Sequence, residues 1–151
     1  MNIRYEVSGR CKNEKLVHWY VCMLFKELKI HRLSKTFISI EFVTSLDDYN
    51  QGECSGDKDE VVIYIARQSK NKKEGLRKLT FLEQMISLAH EMVHAKQFLR
   101  GELGYTKSGE FTWKKRKAGG YKYKNQPWEK EAVKRESQLF VKCFPFKLYN
   151  E

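Results

Sequence analysis

The stretch that most limits what this chain can become is "TFLEQMISLAHEMVHAKQFLRG", residues 80–101. Phe81, Leu82, Met85, Ile86, Leu88, Ala89, Met92 and Val93 would cover most sides of a helix, and a helix apolar nearly all round belongs in a core. Thr80, three residues before Glu83, has the spacing of a capping box, so the helix is predicted to begin near Phe81. Gly101 is a natural stop. The fold must therefore be organised around one buried helix, and that helix carries His90, Glu91 and His94 in its middle.

Residues four apart on a helix share a face, so both imidazoles can aim at one point. Two nitrogens at about 2.0–2.1 Å from a Zn²⁺ are then easy to arrange. Glu91 stands beside them and can reach a metal-bound water without ligating the metal, which is the logic of HExxH. The bland alternative is a pair of core histidines satisfied by hydrogen bonds. Burying these three groups unpaired in an apolar helix would be costly, and a metal removes that cost.

A catalytic zinc takes three protein ligands and leaves its fourth place to water. The remaining histidines, His18 and His31, lie upstream on or near the first helix, and none follows His94. The third ligand should then be a downstream carboxylate. "PWEKEAVKRE" offers Glu129, Glu131 and Glu136. Positions 129 and 131 differ by about 200° around a helix, so only one of them can face the metal. Trp128, Ala132, Val133, Leu139, Phe140 and Cys143 mark the apolar side. Glu129 and Glu136 turn into it, and Glu131 lies at its edge. Glu129 is the expected ligand, with Glu131 as the alternative. A simpler role for Glu129 is a first-turn carboxylate complementing the helix dipole.

The rest of the chain reads as an α+β fold: a small mixed or antiparallel sheet packed on the motif helix and a C-terminal ligand helix. Residues 2–7 alternate as a short strand, and 13–30 form an amphipathic helix through Leu16, Tyr20, Met23, Leu24 and Leu28. "TFISIEFV" (36–43) has strand composition. "EVVIYIAR" (60–67) is apolar on both faces and reads as a buried strand. The polar segment between these two is expected to be a loop. A basic connector, "RQSKNKKEGLRK", leads to the motif helix, and residues 101–126 form a long, glycine-containing connection of the kind that often carries function. The last helix starts at Pro127, runs to about Cys143 and is ended by Pro145.

A chain of 151 residues with 41% hydrophobic content suits one domain, here 1–151. The cysteines, Cys11, Cys22, Cys54 and Cys143, form no CxxC pair, and the apolar neighbours of Cys22 and Cys143 suggest buried thiols. A reduced, cytoplasmic setting is expected, with no membrane partner: the opening "MNIRYEVSGR" has no signal-peptide core, and no apolar run reaches about 20 residues. The net charge of +10 points to acidic or nucleic-acid partners. Residues 107–124 concentrate it, with seven Lys/Arg against one Glu and with Phe111, Trp113, Tyr121 and Tyr123 interleaved. That composition suits DNA or another polyanion; the bland reading is a solvated lysine-rich hairpin.

"HEMVHA" is similar to the zinc-motif helix of the SprT-like (Spartan-type) metallopeptidases. The chain also resembles small metallopeptidase-like proteins of phages and bacteria, in which Gly-Glu-Leu follows the motif and Pro-Trp-Glu opens the next helix. Here these are Gly101-Glu102-Leu103 and Pro127-Trp128-Glu129. Glu129-Lys130-Glu131-Ala132 matches the Glu-x-x-Ala pattern of glutamate-ligand zincins, the gluzincins. The resemblance covers about residues 80–140. It implies a minimal zincin-like domain, a Zn²⁺ held by His90, His94 and Glu129, and an upstream strand edge that aligns an extended protein or peptide substrate. Two positions depart from the pattern. SprT-like enzymes use a third histidine, which this chain lacks. Gluzincins place an acid four residues after the ligand glutamate to orient a histidine, and Val133 stands there.

The expected activity is zinc-dependent hydrolysis of peptide bonds by an endopeptidase, with Glu91 as general base. Tyr105, Tyr121 and Tyr123 are candidate donors to the developing oxyanion, although the simpler role of each is a packing or surface tyrosine. The competing readings are a non-catalytic zinc module that works through its basic surface, and a zinc hydrolase of non-peptide amides.

Overall fold

The computed structural model describes residues 1–71 and 75–149. Four strands form the main sheet: β1 (Arg4–Gly9), β2 (Phe37–Val43), β3 (Gly52–Gly56) and β4 (Glu60–Ala66). Their spatial order is β1-β2-β4-β3. β1, β2 and β4 run parallel, and β3 lies antiparallel to β4 at the edge. The first crossover is α1 (Glu14–Glu27), whose first turn is capped by Asn13 accepting from the Leu16 amide. Ile38, Ile40 and Phe42 of β2 and Val61, Ile63 and Ile65 of β4 all point to one buried face.

The motif helix is α2 (Phe81–Leu99), packed against β3 and β4. Its start is fixed locally. Thr80 Oγ1 accepts from the Glu83 amide and Glu83 Oε1 accepts from the Thr80 amide, each at 3.1 Å. Its end is a Schellman turn: Gly101 adopts φ +73°, and the Glu102 amide reaches back to the Gln97 carbonyl at 2.8 Å. The predicted helix boundaries therefore hold. The last helix, α3 (Pro127–Cys143), begins at Pro127 as expected and packs along α2. Tyr20 of α1 ties the layers together by donating to the Met85 carbonyl at 2.8 Å, with its ring against Phe140 and Phe144.

Several sequence expectations need correction. The segment between β2 and β4 is not a loop throughout; it contains β3, a polar strand whose outer edge pairs with no other strand among the described residues. β4 is covered on one face only, and its Val62 and Tyr64 remain partly exposed on the other. Residues 101–126 are not plain connection. They build a second small sheet of β7 (Leu103–Tyr105), β8 (Phe111–Trp113) and β9 (Arg116–Lys117). The basic connector before α2 likewise contains two antiparallel strands, β5 (Gln68–Asn71) and β6 (Gly75–Lys78). All four cysteines are free thiols; Cys143 is buried and Cys22 only half-buried. Among the described residues, no helix is long and apolar enough to cross a membrane.

Candidate metal centre

His90 and His94 point the same way from α2, with ring centroids 5.1 Å apart. Glu129, in the first turn of α3, faces both. Its Oε1 lies 2.7 Å from His90 Nε2 and its Oε2 lies 3.1 Å from His94 Nε2. Donors on a tetrahedral zinc stand about 3.3 Å apart, so small side-chain shifts would open this cluster around an ion. Among the described residues it is the one group of His, Cys, Asp and Glu with metal-ligating reach.

The opposite sides of the rings decide whether these residues suit a metal. His90 Nδ1 lies 2.8 Å from Glu136 Oε2, a carboxylate that can only accept. His94 Nδ1 lies 2.8 Å from Gln97 Oε1. The Gln97 amide cannot be turned over, because its Nε2 donates to the Trp128 carbonyl at 2.9 Å and to Glu131 Oε1 at 2.8 Å. Both rings are thus held with hydrogen on Nδ1, so that loss of the second proton, which bridges each Nε2 to Glu129, would aim both Nε2 lone pairs at a common point. Metal-bound histidines are oriented in this way. The donor set fits Zn²⁺.

The electrostatics agree. Burial works against protonating His90, but the bonds to Glu129 and Glu136 and the charges of Glu91 and Glu129 outweigh it and push its pKa up to about 9. His94 is raised for similar reasons. Burial also works against the Glu129 carboxylate, yet the two imidazoles hold it far below the usual range. Burial pushes Glu91 up to about 7, against the pull of His94 and His90.

Glu91 itself is buried against β3. A Cβ at Gly52 would stand 2.9 Å from Glu91 Cγ, so only glycine permits this approach of the strand edge to the helix.

Of the sequence candidates, His90, Glu91, His94 and Glu129 converge. Glu131 does not join them. It binds Lys96 Nζ at 2.9 Å and Gln97, because the 200° offset turns it to the next turn of the seam. Val133, in the place of an orienting acid, is exposed, and Glu136 and Gln97 take over that task. Glu136 follows Glu129 by seven residues, which returns it to the same face, so its position was readable. Gln97 was missed, since a neutral amide gives no signal in a sequence. His18 is engaged by Tyr5 and Glu14.

The three tyrosines separate. Tyr105 stacks between Phe98 and Phe111, and Tyr121 packs edge-on to Trp128. Tyr123 instead lines the cleft with Glu91 and Glu129. Desolvation and the neighbouring Glu129 carboxylate push its hydroxyl well above the ordinary tyrosine value.

In comparisons with known proteins, no family model, no curated protein and no solved structure matches this chain.

Proposed function

We propose that the protein is a zinc metallopeptidase of gluzincin type on a minimal zincin-like fold, acting as an endopeptidase on protein or peptide substrates. The observation that carries this reading is the convergence of His90 Nε2, His94 Nε2 and Glu129 beside Glu91, with both Nδ1 atoms already satisfied. A Zn²⁺ bound there would lower the pKa of a coordinated water to about 7 and polarise the scissile carbonyl.

The chain's own groups do the rest. Glu91 takes a proton from the attacking water as the new carbon–oxygen bond forms, then delivers it to the amine nitrogen as the carbon–nitrogen bond breaks. Tyr123 faces the same space and is the phenol placed to donate to the developing oxyanion. The free edge of β3 aligns an extended substrate through backbone hydrogen bonds. The test is zinc-dependent hydrolysis of unstructured protein by the purified chain. Glu91→Gln should keep zinc and lose cleavage; undiminished cleavage by that variant would end the general-base assignment.

A second, separate reading concerns the basic surface. Lys114, Lys115, Arg116 and Lys117 are exposed at the β8–β9 hairpin. Phe111 and Trp113, however, turn inward onto Trp128, at 4.9 and 6.0 Å between ring centroids. Those two aromatics are therefore spent on packing rather than offered to nucleic-acid bases. Contact with DNA or another polyanion along 107–124 would rest on charge alone, without base readout. Binding that persists unchanged from low to high salt would contradict it.

A further inference from the structure

The cleft over the metal cluster has two unlike halves. One, about 320 Å³, is bordered by Gln51, Glu83, Ser87 and Glu136. The other, about 470 Å³, has one wall of Phe98, Leu103, Tyr105, Phe111 and Trp128 and is lined also by the polar groups of Glu53, His94 and Glu129. Both include Asn50, Gly52, Glu91 and Tyr123, so the proposed general base sits at their junction. The aromatic wall is braced as a ladder, with ring centroids 6.0 Å apart from Phe98 to Tyr105, 5.1 Å to Phe111 and 4.9 Å to Trp128. A braced wall of this kind suits a bulky apolar side chain.

The direction of β3 assigns each half to one side of the reacting bond. β3 runs from Gly52 to Gly56 and, among the described residues, is paired on one side only, with β4. Gln51 borders the polar half, whereas Cys54 and Ser55 border the aromatic half. A peptide added to this edge in the more stable antiparallel sense enters over Ser55 and leaves over Gln51. It passes the aromatic half first, Glu91 next and the polar half last.

We infer that the substrate is an extended peptide with a bulky apolar residue, aromatic or leucine-sized, on the amino-terminal side of the cleaved bond and a polar residue on the carboxyl-terminal side. This rests on the metallopeptidase reading above and adds the substrate class to it.

Cleavage of a mixed peptide library by the zinc-loaded full chain, read by mass spectrometry, tests it. Peptides with Phe, Tyr or Leu before the cut should be cleaved at least about tenfold faster than those with Ala there. Cys54→Phe, which fills the aromatic half, should shift the preference to small residues with zinc content unchanged. Phe111→Ala, which widens it, guards against a misfolded first variant and should relax the preference. Zinc-loaded Glu91→Gln gives a readout that needs no turnover: by fluorescence anisotropy it should bind the Phe peptide about tenfold tighter than the Ala peptide. Equal affinities, cleavage with no preference, or a bulky residue required after the cut would overturn the inference. Loss of the metallopeptidase reading would look different, as the absence of zinc-dependent cleavage of any peptide.

Discussion

Two clusters of buried polar groups lie one turn apart in the seam between α2 and α3. In one, Lys96 Nζ bonds Glu102 at 2.7 Å and Glu131 at 2.9 Å, and Gln97 completes the set. In the other, His90 and His94 face Glu129, with Glu91 and Glu136 alongside. The first cluster carries its own cation. The second gathers three carboxylates around two imidazoles, and among the described residues no lysine or arginine is bonded to it, so its positive charge rests on the imidazoles. Carboxylates packed together need a compensating positive charge. The comparison teaches that a closed ion pair and a candidate metal site can be built from neighbouring positions of the same two helices. What separates them is whether the positive charge is a fixed ammonium or sits on imidazoles that can give up their Nε2 protons to a metal. Gln97 joins the two, giving its carbonyl to His94 and its amide to Glu131.

The largest expected effect breaks the open cluster. Glu129→Ala should weaken zinc binding on the order of a thousandfold, a third of the binding free energy of such sites, as measured by competition with a chromophoric chelator. Unchanged affinity would remove Glu129 from the metal. Next, Glu91→Gln should lower kcat/KM by about 10²–10⁴-fold while zinc stoichiometry stays the same.

The groups that orient the rings should matter less. Glu136→Gln and Gln97→Leu should each cost about 10–100-fold in zinc affinity. A purely structural role would lower Tm and leave affinity alone. The smallest effect on the metal belongs to the closed cluster. Lys96→Met should leave zinc affinity within about twofold, yet destabilise the fold by roughly 2 kcal/mol in denaturant melts. A large loss of zinc in that variant would mean that the two clusters are not separable.

The sequence revealed what local chemistry decides. The bounds of α2 follow from Thr80, Glu83 and Gly101, and the start of α3 follows from Pro127. His90, Glu91 and His94 were readable from spacing, and Glu129 from the period of α3. The edge strand β3 was hidden because "GECSG" is polar and flanked by glycines. The β8–β9 hairpin was foreseen as the lysine-rich hairpin of 107–124, but its turn carried no signal of its own. Its turn residues, Lys114 and Lys115, have φ of 50° and 71°, a geometry usually signalled by Asn-Gly. Gln97 gave no sign of its role, since that depends on the Trp128 carbonyl of another helix holding its amide in one orientation.

The most direct measurement is zinc K-edge X-ray absorption on the purified, zinc-loaded protein. It should show one zinc per chain with nitrogen and oxygen neighbours only, at about 2.0–2.1 Å, two of them with the outer-shell scattering of imidazole. A sulfur neighbour at about 2.3 Å, or a chain that retains no zinc, would contradict the site described for His90, His94 and Glu129.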